Sequence, residues 1–170
     1  MDLTPWYPWL NLLHVLAVLG FVFVHGVSGL LGLRMRRERD RTRIATMAEL
    51  SGSFIGLGWL ALVVLAAAGI LAGIVGGWWT NGSLWIWASV VVFIVVVGLM
   101  TPVATAYMAR VRAAVGLPGR DARGRTIPPN EPVSDEELAR IVASDAPVRA
   151  AAIGGLGIGV LTWLMMLKPF

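Results

Sequence analysis

The topology of this chain is decided by one short stretch, Arg34-Met35-Arg36-Arg37-Glu38-Arg39-Asp40-Arg41-Thr42-Arg43, which separates two long apolar segments. Positive charge in short loops marks the cytoplasmic side of a membrane protein, because such loops resist translocation. A second basic segment follows further along the chain. It contributes seven more of the fourteen basic residues, namely Arg110, Arg112, Arg120, Arg123, Arg125, Arg140 and Arg149.

The apolar segments around these basic loops are long enough to cross a bilayer, for which about 20 helical residues suffice. We therefore predict an all-α fold, a bundle of four transmembrane helices forming one domain over residues 1–170. Both termini are expected outside the cell (inner) membrane, on the side where most of the tryptophans also fall. The predicted helices are 9–33, 49–75, 84–112 and 147–167, and the loop 113–146 is expected to carry a short cytoplasmic interfacial helix.

Composition supports a lipid environment and excludes several kinds of site. Only 14% of the 170 residues are charged, against about 25% in soluble domains. The net charge of +4 is explained by the topology, so we expect anionic lipid headgroups at the arginine loops and no nucleic-acid partner. The chain has no cysteine, which excludes disulfides, thiolate metal sites and iron–sulfur clusters.

Small residues recur at a spacing of four in two of the predicted helices. Such spacing lets helix backbones approach closely, and packing drives helix association in lipid. These faces are expected either to hold the bundle together or to contact another subunit or a second copy. The predicted packing positions are Gly52, Gly56, Gly69, Gly73, Gly155 and Gly159.

The first predicted helix carries both histidines of the chain. At 100° per residue, His14 and His25 share one narrow stripe and lie roughly 16 Å apart along the axis. Ionisable residues inside a membrane are candidates for function, and neutral imidazole is a common axial ligand of haem. Two interpretations stay open: ligation of haem b, or hydrogen bonds across helices that fix the bundle. The rings are too far apart to share one iron.

No catalytic motif is present, because the sequence contains no Walker-type glycine loop, GxSxG, HExxH or intramembrane carboxylate cluster. We therefore predict no catalytic residue and no metal site. The favoured function is a non-catalytic subunit or assembly factor of a larger bacterial membrane complex, for which an electron-transfer complex is one option. Two alternatives are a haem b-binding redox protein and a small oligomeric transporter.

The segment Leu12–Gly20, read as LLHVLAVLG and followed by Gly29-Leu30 and the basic loop, resembles the first helix of a group of small bacterial membrane proteins. The group includes copper-resistance CopD-like domains, HemJ-type protoporphyrinogen oxidases and a related integral membrane family. The resemblance covers about the first half of the chain and implies a four-helix scaffold with a haem role for His14. A HemJ-type helix has a lysine where Asn11 and Leu12 stand, so porphyrinogen oxidation is not expected.

Overall fold

The computed structural model describes residues 3–120, 125–129 and 131–170. Arg123, which belongs to the second basic segment, lies outside the described residues. The described chain is all-α apart from one two-stranded antiparallel ladder. Its elements are α1 (Tyr7–Met35), α2 (Arg41–Ser53), α3 (Ile55–Val75), α4 (Leu84–Ala114), β1 (Gly119–Arg120), β2 (Thr126–Ile127), α5 (Asp135–Val142) and α6 (Ala146–Leu167).

Four helical stretches among the described residues are long and apolar enough to cross a membrane, namely Thr4–Met35, Arg41–Val75, Leu84–Ala114 and Asp135–Leu167. The 29 residues of α1 alone rise about 43 Å, against a hydrocarbon core about 30 Å thick. The prediction of an all-α chain with four potential membrane spans is therefore confirmed.

The second helical stretch differs from its predicted bounds at the start. It begins at Arg41 rather than near Glu49, because the Asp40 carboxylate caps α2 by accepting the backbone N–H groups of Thr42 at 2.8 Å and Arg43 at 3.2 Å. A hydropathy profile does not assign these first turns to the helix, because their residues are polar. The stretch is also interrupted at Phe54, where α2 ends and α3 begins.

Internal contacts divide the chain into two compact units. Unit 1 comprises residues 1–26, 55–97 and 154–170, and unit 2 comprises 27–54 and 98–153. All eight tryptophans belong to unit 1, whereas all the described arginines belong to unit 2. The segregation of tryptophan and arginine along the sequence thus coincides with the division of the fold.

The core of unit 2 brings together the polar helix α2, the last turns of α4 and the short helix α5. Its fully buried side chains include Met35, Ile44, Val111 and Val142. The predicted short helix is present as α5, and Ser134 caps it by accepting the N–H of Glu137 at 3.2 Å. Leu138 and Val142 form the buried face of α5, and both side chains pack into the core of unit 2.

In unit 1 an aromatic and cationic cluster lies at the start of α4 and the end of α6. The Lys168 ammonium lies 4.4 Å from the centroid of the Trp78 ring and 5.3 Å from that of Trp85, within the range of cation–π attraction. The backbone N–H of Trp85 donates to the Phe170 carbonyl at 3.3 Å. These contacts join the last residues of the chain to the first turn of α4.

Candidate functional site

His14, on the stripe of α1 that it shares with His25, contacts α3 within unit 1. Its Nδ1 lies 2.9 Å from the carbonyl oxygen of Leu65. A carbonyl can only accept, so Nδ1 carries a proton, and in the neutral ring Nε2 keeps its lone pair. The ring fits here because position 69 is glycine: a β-carbon at Gly69 would lie 2.8 Å from Cε1 of His14.

The relation between the accepting carbonyl and the glycine has a simple geometric cause. Side chains on a helix point back toward its N-terminus, so residue i+4 covers the carbonyl of residue i. A glycine at i+4 uncovers that carbonyl for a donor from elsewhere. Gly69 stands four residues after Leu65, and the uncovered oxygen accepts from His14 although it already belongs to the helix ladder.

The same arrangement recurs in unit 2. The Arg112 guanidinium donates through Nη1 to the Ala48 carbonyl at 3.2 Å, and Gly52 follows Ala48 by four residues. A β-carbon at Gly52 would lie 3.0 Å from that Nη1. A related contact is made in unit 1 by Trp79, whose indole N–H donates to the Ile70 carbonyl at 3.2 Å.

Gly73 lies against the Trp79 indole and Ile86 in unit 1. Thus the structure places Gly52, Gly69 and Gly73 against side chains of their own unit.

The remaining predicted packing glycines face open space. A β-carbon at Gly56, Gly155 or Gly159 would meet nothing within 4 Å. Helix α6 instead uses Gly157 inside unit 1, where an added β-carbon would collide with the Val96 side chain. Sequence reasoning missed Gly157, because a spacing of four selects Gly155 and Gly159 and passes over the residue between them.

His25 has a different environment from His14. Its ring stacks on Phe21, one turn earlier on α1, with the centroids 5.4 Å apart and the planes 15° from parallel. Within the part of the chain that the structure describes, it makes no hydrogen bond. The two histidines therefore share a stripe of α1 without sharing a partner.

The arginines of unit 2 hold the ends of its helices. Arg41 donates to the carbonyls of Ala114 at 3.1 Å and Val133 at 2.6 Å, and it pairs with Asp135 at 2.7 Å. Arg112 donates to Pro118 as well as to Ala48, and Arg36 pairs with Asp145 at 2.7 Å. These roles were not predicted from the sequence. The available signal was the acidic residues of 135–145, which can balance the first arginine loop.

No cluster of three or more His, Asp or Glu side chains that could hold a metal ion exists among the residues that the structure describes. Comparison with protein-family models, with curated proteins and with solved structures gave no match.

Proposed function

We propose that this chain is a four-span membrane protein that acts by lateral association, as a non-catalytic subunit or assembly factor of a larger bacterial membrane complex. In the proposed orientation the arginines of unit 2 face the cytoplasm and both termini lie outside. The support for this orientation is the distribution of positive charge and tryptophan along the chain.

The observation that carries the proposal is the unpartnered small-residue face of α6. Gly155 and Gly159 are exposed and one turn apart, whereas Gly157 between them serves the packing of unit 1. Two glycines on a lipid-facing surface lose dispersion contact with the acyl chains, and they let a second helix approach closely. Helix α6 therefore carries small residues on two faces. Gly157 packs inside unit 1, and the face with Gly155 and Gly159 remains available for docking to another protein.

The test is the size of the native complex in gently solubilised membranes, measured by blue native electrophoresis or light scattering. Gly155→Leu and Gly159→Leu should shift the protein to a smaller species, because leucine side chains keep the two helices apart. Leu156→Ala is the matched control, since Leu156 lies on the same helix and is 74% exposed. Gly157→Leu should instead prevent folding of the protein by clashing with Val96. Retention of the full-size complex by both glycine variants would refute the proposal.

A second candidate function is haem b binding through His14, and one contact favours it. The Nδ1–H donates to the Leu65 carbonyl, and histidines that ligate metals typically donate their other ring N–H in this way. This leaves Nε2 as the ligand atom, with the second axial ligand coming from another chain. A reduced-minus-oxidised absorbance spectrum of protein from haem-replete cells tests it. A b-type signal that disappears in His14→Ala supports the candidate, and a featureless spectrum rules it out.

A further inference from the structure

A partly open cavity of about 260 Å³, with Arg110 and Arg149 exposed at its surface, lies within unit 2 among the last turns of α4, the helix α5 and the first turn of α6. It is separate from the glycine face of α6 and from the surroundings of His14. Its lining is rich in groups that can donate to an anion, and comprises Tyr107, Arg110, Glu137, Arg140, Ile141, Ser144, Ala146 and Arg149.

The charge of this lining is not balanced. Three arginines face one glutamate, and Glu137 is already paired with Arg140. Asp145, next to the lining residue Ser144, pairs with Arg36 instead. Arg110 and Arg149 have no ion-pair partner among the residues that the structure describes. The cavity therefore presents two positive groups that have no internal counter-charge.

Two further features favour a phosphate group over other anions. Guanidinium groups match the oxygens of phosphate with paired hydrogen bonds. The cavity also lies at the start of α6, a helix of 22 residues, whose N-terminal end carries the positive pole of the helix dipole. A volume of about 260 Å³ leaves room for a phosphate group and the atoms attached to it.

We propose that this cavity binds the phosphodiester headgroup of an anionic phospholipid. The position in the chain favours a lipid, because Arg110 and Arg149 lie in the terminal turns of two helices that can span a membrane. The neighbouring Val148 is 41% exposed, so an apolar surface adjoins the charged groups. A headgroup bound here would attach the polar helix α5 and the spans on either side of it to the membrane surface.

The experiment is a titration of the delipidated full-length protein in mild detergent with phosphatidylglycerol, followed by native mass spectrometry. Phosphatidylcholine serves as the control lipid, because its phosphate is neutralised by its own choline. Arg110→Gln combined with Arg149→Gln should weaken phosphatidylglycerol binding about tenfold. Arg37→Gln combined with Arg39→Gln removes the same charge from exposed positions outside the cavity, and should change binding by no more than about twofold.

The bound phosphate group could belong to a lipid headgroup or to free phosphate, and competition with inorganic phosphate distinguishes these two ligands. Failure of millimolar phosphate to displace the lipid would support a headgroup site. Displacement that is lost in the Arg110→Gln, Arg149→Gln variant would show that the cavity is a site for free phosphate and would overturn the lipid assignment. Equal weakening by the cavity pair and the control pair would overturn the site itself. If the double variant does not fold, the single variant Arg149→Gln, at an exposed position, provides the same comparison.

Discussion

Gly69 and His14 are mutually dependent: the imidazole occupies the space that a side chain at position 69 would fill, and it bonds the carbonyl that such a side chain would cover. This pairing explains why a histidine can lie against an apolar helix such as α3 without leaving its donor unsatisfied. The carbonyl of Leu65 accepts one bond from the helix and a second from the ring. The same principle operates between Gly52 and Arg112.

The first prediction follows from this pair. Gly69→Ala should destabilise the protein by about 1–2 kcal/mol, because the steric cost of overpacking exceeds the gain in helix propensity. The midpoint of thermal unfolding in detergent measures the effect. Gly56→Ala is the matched control on the same helix and should be neutral or stabilising, since a β-carbon there meets nothing within 4 Å.

A double variant makes this first test specific. Adding His14→Ala to Gly69→Ala should recover part of the stability that Gly69→Ala loses, because the clash disappears with the ring. Additive losses in the double variant would contradict the proposed dependence.

The second prediction concerns Arg41, which binds the carbonyls of Ala114 and Val133 and the Asp135 carboxylate. Arg41→Gln should increase amide hydrogen exchange in residues 133–142 while leaving exchange in unit 1 unchanged, because the contacts that it removes all lie within unit 2. Arg41→Lys should not restore protection, since an ammonium cannot donate along the same three directions. Arg39→Gln, at an exposed neighbouring position, should have no effect. Unchanged exchange in Arg41→Gln would show that α5 is held by its apolar face alone.

The third prediction is a pH dependence in the turn between α1 and α2. Backbone hydrogen bonds from Arg39 and Asp40 to the Glu38 carboxylate, with further attraction from Arg43, hold the pKa of Glu38 below its ordinary value. A carboxyl with a lowered pKa stabilises the fold above its ordinary pKa, and the contribution is lost as the pH falls through the folded value. Exchange of the Arg39 and Asp40 amides should therefore rise on acidification below about pH 4.

Glu38→Gln is the control for this titration. The amide oxygen accepts the same two backbone N–H groups without a charge, so exchange at Arg39 and Asp40 should become nearly independent of pH. A variant that keeps the full acid dependence would assign the effect to another carboxyl of the turn, such as Asp40.

The fourth prediction tests the proposed orientation and uses the absence of cysteine from the chain. In intact cells a membrane-impermeant maleimide should label Thr80→Cys, because the turn between α3 and α4 is proposed to lie outside. Arg39→Cys, in the arginine loop, should react only after the membrane is permeabilised. Both side chains are exposed, so access to the reagent depends on the side of the membrane. The reverse pattern would overturn the topology.

The extent of the helices could be read from hydropathy, because a long apolar run has few alternatives to a helix in lipid. The start of α2 could not be read in this way, since its first turns are polar and depend on the Asp40 cap. The sequence also predicted that small residues would matter in packing. It could not show which of them turn inward, because Gly157 and Gly159 differ by only two positions and their direction depends on the neighbouring helix.

The candidate site, like the fold, could be predicted only in part from the sequence. Helical periodicity placed His14 and His25 on one stripe, but their partners belong to tertiary structure: Leu65 is 51 residues away from His14 in the sequence. The roles of the arginines were hidden for a related reason. Membrane topology already accounts for the positive charge of a basic loop. No neighbouring residue in the sequence indicates that Arg41 donates to the carbonyl of Ala114 at the end of α4.

The sequence separation of the arginine contacts has a consequence for biosynthesis. Arg36 and Asp145 are 109 residues apart, and translation at 5–20 residues per second needs about 5–20 s to cover that distance. During this interval Arg36 and Arg41 still lack their carboxylate partners Asp145 and Asp135, so in the proposed orientation they would add their full positive charge to the loop while the helices insert. Under the proposed topology the same residues would therefore act twice, first as the positive charge that keeps the loop in the cytoplasm and later as the ion pairs that hold the folded unit together.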